Sequence, residues 1–243
     1  MPSERLDKLL ASTGRWSRSE VKRLVREGRV EANGHIAASA EKKYDAHEVR
    51  LLVDGEAVRL CKFVYIMLNK PAGVLSATED GKGKTVLELL PEEYSRRGLF
   101  PVGRLDKDTE GLLLLTDDGQ LAHALLSPKR HVDKVYLAVV EGEPDEADRA
   151  AFARGMELGD GLKCLPAELE IVSAGARSEV KVTLREGKFH QVKRMLAARG
   201  KPVVYLKRLS MGPLGLDASL APGQWRELTA PELSALAGQM KPK

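Results

Sequence analysis

Apolar positions near the start of the chain follow a helical period. Leu6, Leu9 and Leu10 share one face before the chain breaks at Gly14. Val21, Leu24 and Val25 make a second apolar face, opened by the Ser17/Glu20 capping box and closed by Gly28. The pattern then turns to short alternating runs. RVEANGHIA and EVRLLVDGEAVRL both read as hairpins, because Asn33-Gly34 and Asp54-Gly55 accept the positive φ values of a type I′ turn. From Phe63 the register changes again: FVYIML is the continuous apolar run of a buried strand, halted at NKPAG, where Pro71 and Gly73 do not continue it comfortably. GLLLLT (111–116) and KVYLAVVEG (134–142) are further strands, with a helix over QLAHALL between them. PDEADRAAFARG predicts a helix, ELEIVSAGARSEVKVTLREG two strands around a glycine turn, KFHQVKRMLAARG a helix stopped by Gly200, and PVVYLKRL a strand. Thr229 and Glu232 cap a last helix over ELSALAG, and the tail QMKPK is expected to fray.

Strands and helices alternate without a βαβ rhythm, which predicts an α+β fold with a mixed, largely antiparallel sheet and flanking helices in a domain spanning 60–243. Two helices and a few short strands make residues 1–59 a small domain of their own. The 39 Lys and Arg against 35 Asp and Glu leave +4, which permits a polyanionic partner without demanding one. Cys61 and Cys164 lack CxxC spacing, so neither a disulfide framework nor a metal site is expected, and a reducing cytosol is the simplest home. The chain opens without a basic segment leading into an apolar one, and no apolar run approaches the roughly 18 residues of a membrane span. These features predict a soluble cytoplasmic protein.

Arg15, Arg18, Lys22, Arg26 and Arg29 recur every three or four positions and fall on one stripe beside the apolar face of the second helix. Such runs ordinarily mean a solvated face. Here only Glu20 and Glu27 interrupt the run, which favours a surface that grips phosphates. In GRLDKDTEGLLLLTDDG (103–119), Gly103 and Gly111 bracket a loop that carries Asp106 and feeds a strand, a place where a carboxylate is rigidly held yet reachable. A loop Asp is most often a turn or capping residue, the role expected of Asp108, Asp117 and Asp118. Lys193 and Arg194 flank the inward face of Val192, Met195 and Leu196, and in isolation read as exposed cations. In the same way, His190 reads as a local hydrogen-bonding residue and Tyr136 as a core aromatic. The residues alone define a basic two-domain protein with a candidate carboxylate site, and they stop short of the reaction.

The ordered stretches NKPAG, GRLDKDTEGLLLLTDDG, KVYLAVVEG, EGKFHQVKRM and VVYLKRL resemble the ribosomal pseudouridine synthases, and the front segment resembles the S4-type RNA-binding domain. FHQVKRM resembles the small-subunit branch, which acts on uridine 516 of 16S rRNA, more than the large-subunit branches, which more often carry an Asn-Arg pair. The resemblance implies that Asp106 is the catalytic carboxylate, Tyr136 the aromatic that stacks on the base, Lys193 the basic partner where Arg is commoner, and Leu206 a pocket wall. It gives Arg104 a place in the substrate pocket, and Asn69, Lys70, His190 and Arg194 supporting or RNA-contacting roles beside the stripe from Arg15 to Arg29. The implied reaction breaks the uridine N1–C1′ bond, turns the base and rejoins it through C5 without cofactor or metal. The implied partner is 16S rRNA in a small-subunit assembly intermediate, met by a monomer. The alternatives are a large-subunit 23S rRNA synthase and a non-catalytic S4-containing ribosome-assembly factor. Retention of Asp106, Tyr136 and Lys193 together speaks against the last of these.

Overall fold

The computed structural model describes residues 3–127 and 130–238, and the tail expected to fray lies outside them. The chain up to Val64, together with Leu90–Leu99, makes one compact unit, while Tyr65–Leu89 and the chain from Phe100 onward make another. No described helix is long and apolar enough to cross a membrane.

In the first unit β1 (Glu4–Arg5) leads into α1 (Leu6–Ala11), against which α2 (Arg18–Arg26) packs. The strands β2 (Val30–Ala32), β3 (His35–Ile36), β5 (Leu51–Val53) and β6 (Glu56–Val58) form an antiparallel sheet in the order β3-β2-β5-β6, and β4 (Lys43–Tyr44) pairs with β1. Both hairpin turns have the expected backbone, with φ of 54° and 80° at Asn33 and Gly34, and 54° and 79° at Asp54 and Gly55. The capping box also forms: the Ser17 amide donates to Glu20 at 2.7 Å and the Glu20 amide to the Ser17 hydroxyl at 3.2 Å. The two helical faces meet the inner residues Val30, Leu51 and Val53 in one core. The segment Leu90–Leu99, with its short α3 (Glu92–Arg96), clusters here rather than with the residues around it in sequence. Its Arg97 guanidinium donates to the carbonyls of Ser12, Cys61 and Lys62. Gly14 permits this close approach, since a Cβ there would lie 1.9 Å from the Glu93 carbonyl oxygen.

The second unit is built on a sheet ordered β13-β14-β10-β15-β9-β7-β17. Its strands are β7 (Tyr65–Lys70), β9 (Glu110–Thr116), β10 (Lys134–Glu141), β13 (Glu168–Ser173), β14 (Arg177–Leu184), β15 (Val203–Met211) and β17 (Trp225–Glu227), with short β8 (Phe100–Pro101) on β9 and β16 (Leu214–Gly215) on β15. All the neighbours along that path are antiparallel except β15 and β9, so the fold is α+β with a largely antiparallel sheet. A separate hairpin joins β11 (Met156–Glu157) and β12 (Lys163–Cys164). Helices α4 (Gly119–Leu126) and α7 (Ala230–Gly238) bury Leu121, Leu125 and Leu236 against Met67, Leu112, Leu114 and Met211. Helix α5 (Glu146–Arg154) packs on β13, and α6 (Gln191–Ala198) packs on β15 through its buried Val192, Met195 and Leu196 face. Asp118 caps α4 as expected, accepting from the amides of Gln120 and Leu121 at 3.0 Å. Strand β7 runs two residues past the apolar FVYIML run, because Asn69 and Lys70 find buried partners that compensate their polarity.

At the start of α1 the fully buried Asp7 accepts from Arg5 at 3.0 and 3.1 Å and from Arg18 at 3.1 Å. Burial pushes its carboxyl up, but the hydrogen bonds from Arg5 and Arg18 outweigh that and hold it below the ordinary carboxylate value. A depressed folded value stabilises the protein above the unfolded pKa, roughly 4, and the benefit is lost as pH falls through the folded value. Asp7→Asn should therefore destabilise the protein by about 1–3 kcal/mol near neutrality. In denaturant titrations at a series of pH values, the gap from wild type should close below about pH 4.

Candidate active site

Asp106 lies on the loop between β8 and β9, and that loop is fastened on both sides. Ahead of Asp106, the Leu105 amide donates to the Ser76 hydroxyl at 3.1 Å, and that hydroxyl donates back to the Leu105 carbonyl at 3.0 Å. Behind it, the Gly73 amide donates to the Lys107 carbonyl at 2.7 Å. The Lys70 ammonium, at the end of β7, donates to the carbonyls of Pro71 at 3.0 Å, Lys107 at 3.1 Å and Thr109 at 2.8 Å. All three of its protons are thus used, as burial of an ammonium requires. At the loop's exit Gly111 adopts φ 101° opposite Arg208 in the parallel β9–β15 pair, and a Cβ there would lie 2.3 Å from the Arg208 carbonyl oxygen. The buried Arg208 side chain crosses the same pair to donate to the Leu112 carbonyl at 2.8 Å.

The loop brings Asp106 to the floor of a cavity of about 80 Å³, lined also by Arg104, Tyr136, His190 and Leu206. This volume is small beside the roughly 300–1,000 Å³ of common small-ligand clefts, and suits one flat ring. Strand β10 alternates in burial and turns Tyr136 to the cavity, and β15 supplies Leu206. The Tyr136 hydroxyl makes no hydrogen bond among the described residues, whereas a core tyrosine normally finds a partner. Asp106 keeps 25% of its side chain exposed and faces Lys193 Nζ at 3.3 Å from Oδ2. His190 presents Nε2 at 3.5 Å from Oδ1 of the same carboxylate. Its backbone is left-handed, with φ 52° and ψ 30°, which is uncommon for a non-glycine residue. Asp106, Tyr136, Lys193, Leu206, Arg104 and His190 are thereby brought together from four separate stretches of sequence.

Several residues fall elsewhere. Asn69 and Lys70 are buried and do not present a surface to RNA: the Asn69 amide donates to the Leu220 carbonyl at 2.7 Å, and Lys70 holds the loop that carries Asp106. Arg194 lies outside the cavity in an ion pair with Asp160. Asp108, expected to serve only as a turn residue, takes the shorter contact of Lys193, 2.6 Å, and this hydrogen bond lowers its pKa. The ammonium is therefore shared between two carboxylates. On the first unit, Arg18 is engaged by Asp7, and Arg29 makes a bidentate pair with Asp54 at 2.6 and 2.7 Å. Arg15 lies over the Trp16 ring at 4.5 Å. Lys22 and Arg26 make no ion pair among the described residues and border a shallow depression with Ser19, Ser39 and Glu41. Sequence reasoning missed Thr109, whose amide closes the turn on the Asp106 carbonyl at 3.1 Å, although it stands three residues after Asp106 in the stretch GRLDKDTEGLLLLTDDG. It also missed Gln191, which accepts from the Lys188 amide at 3.0 Å and donates to Glu186 at 2.6 Å, shaping the opposite rim.

The fold, taken with the family profile that matches it, is that of an RNA base-modifying enzyme. The profile of the RNA pseudouridylate synthase family matches residues 64–198, and that of the S4 domain matches residues 4–49. The chain belongs to the RNA pseudouridylate synthase family and is an RNA pseudouridine synthase. It is 49% identical over 233 residues to an uncharacterized RNA pseudouridine synthase of Bacillus subtilis, covering 96% of this chain and 98% of the relative. It is 40% identical over 235 residues to the ribosomal small subunit pseudouridine synthase A of Escherichia coli, covering 96% and 99% of the two chains. A crystal structure of a pseudouridylate synthase aligns with a TM-score of 0.66 at 38% identity, over 96% of this chain and all of the other.

Burial, opposed in part by Asp108, Asp106 and Glu110, lowers the Lys70 ammonium to about 8. Its unfolded value is roughly 10.4, so the unfolded chain binds the extra proton between these limits, and the Lys70 contribution to stability must rise with pH there. Lys70→Met should abolish that rise, seen as the difference between wild-type and variant unfolding free energies measured from about pH 7 to pH 11.

Proposed function

We propose that this enzyme converts a uridine of ribosomal RNA to pseudouridine, and that the target is uridine 516 of 16S rRNA in an assembling small subunit. The carrying observation is Asp106, paired with Lys193 at 3.3 Å, lining a ring-sized cavity together with Tyr136 and Leu206. Full-length similarity to synthases named for the small subunit supports the choice of RNA. The everted uracil lies between the Tyr136 ring and Leu206, with its sugar toward Asp106. The Asp106 carboxylate either attacks C1′ or takes a proton from the sugar, and the N1–C1′ bond breaks. Uracil leaves with anionic character and is held by stacking while it turns, which keeps C5 close to the sugar. Bonding of C5 to C1′ releases the Asp106 carboxylate from C1′ on the first route, or is accompanied by return of the proton from Asp106 to the sugar on the second. Loss of the C5 proton and protonation of N1 then complete an isomerisation that needs no added cofactor. Lys193 acts as a point charge beside the acid, and Asp108 tethers it from the solvent side. Arg104 meets RNA at the cavity mouth.

In this reading residues 1–59 are the RNA-binding domain and residues 60–243 the catalytic domain of a cytoplasmic monomer. Lys22 and Arg26 supply the phosphate grip, because Arg18 and Arg29 already have carboxylate partners. The grip sets position, while the choice of uridine comes from RNA shape and from bases read at the cavity. Extrusion of the target costs a few kcal/mol, which those contacts offset.

Asp106→Asn should abolish pseudouridine formation, measured by mapping modified positions in rRNA, while folding and RNA affinity stay close to wild type. Activity in that variant would remove Asp106 from the chemistry. Replacing Lys22 and Arg26 together by Ala should weaken RNA binding and reduce the slope of log K against log salt by roughly 1.4–1.8. An unchanged slope in a salt titration would return this face to simple solvation.

A further inference from the structure

Just outside the cavity stands an aromatic side chain that the isomerisation leaves unused. Phe189 is 73% exposed, the most open of the large apolar side chains among the described residues. Single exposed apolar residues are ordinary and need no function. Phe189 differs in what lies behind it: its ring stacks on the His190 imidazole, with centroids 3.8 Å apart and planes within 18°. His190 lines the cavity, and its opposite edge reaches Asp106. His190 thus meets the carboxylate through Nε2 and carries the Phe189 ring on one face, and the other face of that phenyl ring is bare among the described residues. Among the described residues no other ring stacks on that face.

Everting a base has a consequence on either side of it, because the neighbouring bases lose the stacking partner they had in the helix or loop. A flat hydrophobic ring at the mouth of the receiving cavity is the chemical complement of such a base, and stacking of this kind accepts any of the four bases. Arg104 stands exposed on the same cavity and can meet the adjoining phosphate. We infer that the outer face of Phe189 is the stacking platform for the base flanking the everted uridine, with His190 as its rigid backing. This subsite deepens the proposed function and rests on it. It holds the RNA strand at the cavity mouth after the target has left the stack, and it contributes to binding without touching the reacting atoms.

The experiment uses the full chain and an RNA fragment containing the uridine that wild type modifies, together with two copies in which the 5′ or the 3′ neighbour is abasic. Phe189→Ala should reduce kcat/KM on intact RNA by roughly 5- to 150-fold, mainly through KM, as loss of one base–aromatic stack implies. Phe189→Trp should restore it to within a few-fold of wild type. Removal of the flanking base on one side should slow wild type by a similar factor and leave Phe189→Ala unaffected, because both changes delete one contact. The inference is overturned if Phe189→Ala stays within about two-fold of wild type, or if the losses from the variant and the abasic RNA multiply. Failure of wild type to form pseudouridine in any ribosomal RNA overturns the underlying reading and this subsite together, an outcome distinct from an active enzyme indifferent to position 189.

Discussion

The second unit, which holds the Asp106 cavity, depends on one buried cation. Lys70 closes β7 with an ammonium group enclosed by protein and spends its three protons on carbonyl oxygens, two of them in the loop that carries Asp106. A loop of this kind has no ladder to satisfy its backbone, so its carbonyls need another donor if they are to be withdrawn from water. Lys70 is that donor, and Ser76 performs the matching task on the other side of Asp106. The carboxylate is therefore positioned by hydrogen bonds to the residues flanking it, while its own oxygens face Lys193 at 3.3 Å and His190 at 3.5 Å. The charge of Lys70 is balanced partly by Asp106, Asp108 and Glu110, so the holding device and the site share one electrostatic field.

Within that field the second lysine is shared between two carboxylates, where the first is held by carbonyls. Lys193 stands on α6 with two carboxylates in reach, Asp106 at 3.3 Å and the exposed Asp108 at 2.6 Å. A guanidinium would engage one carboxylate through a planar fork, whereas an ammonium is a compact charge that can be divided between two. The arrangement keeps a positive charge beside Asp106, on the Oδ2 side, while His190 faces Oδ1. Asp108 thus has a part in the site, although it lies in solvent and its position in the sequence resembles an ordinary turn acid.

The basic helix of the first unit illustrates how a charge pattern overstates a surface. Five cations share one stripe, yet Arg18 is drawn to the buried Asp7 and Arg29 to Asp54 in the hairpin turn. Both acids come from other elements, and their pairing with the stripe stabilises the unit before any RNA is present. What remains open to a phosphate is narrower than the pattern implies, centred on Lys22 and Arg26.

Local physics was legible in the sequence wherever one element suffices: the Ser17/Glu20 and Thr229/Glu232 caps, the two type I′ turns, the helical faces of α2 and α6, and the strand runs of β9 and β10. The α+β class followed from the order of those elements. Asp106, Tyr136, Lys193 and Leu206 carried no signal of their own in periodicity, and only the ordered motifs joined them. Tertiary structure decided the rest. Asn69 and Lys70 look like exposed loop residues because polar side chains beside a proline usually are, and they are buried only because distant carbonyls converge on them. The same holds for Asp108 and for the segment Leu90–Leu99, whose partners are remote in sequence. Capping and turn formation are set by neighbours within four residues, whereas burial of a charge is set by whichever groups the fold brings to it, and a linear pattern does not record that.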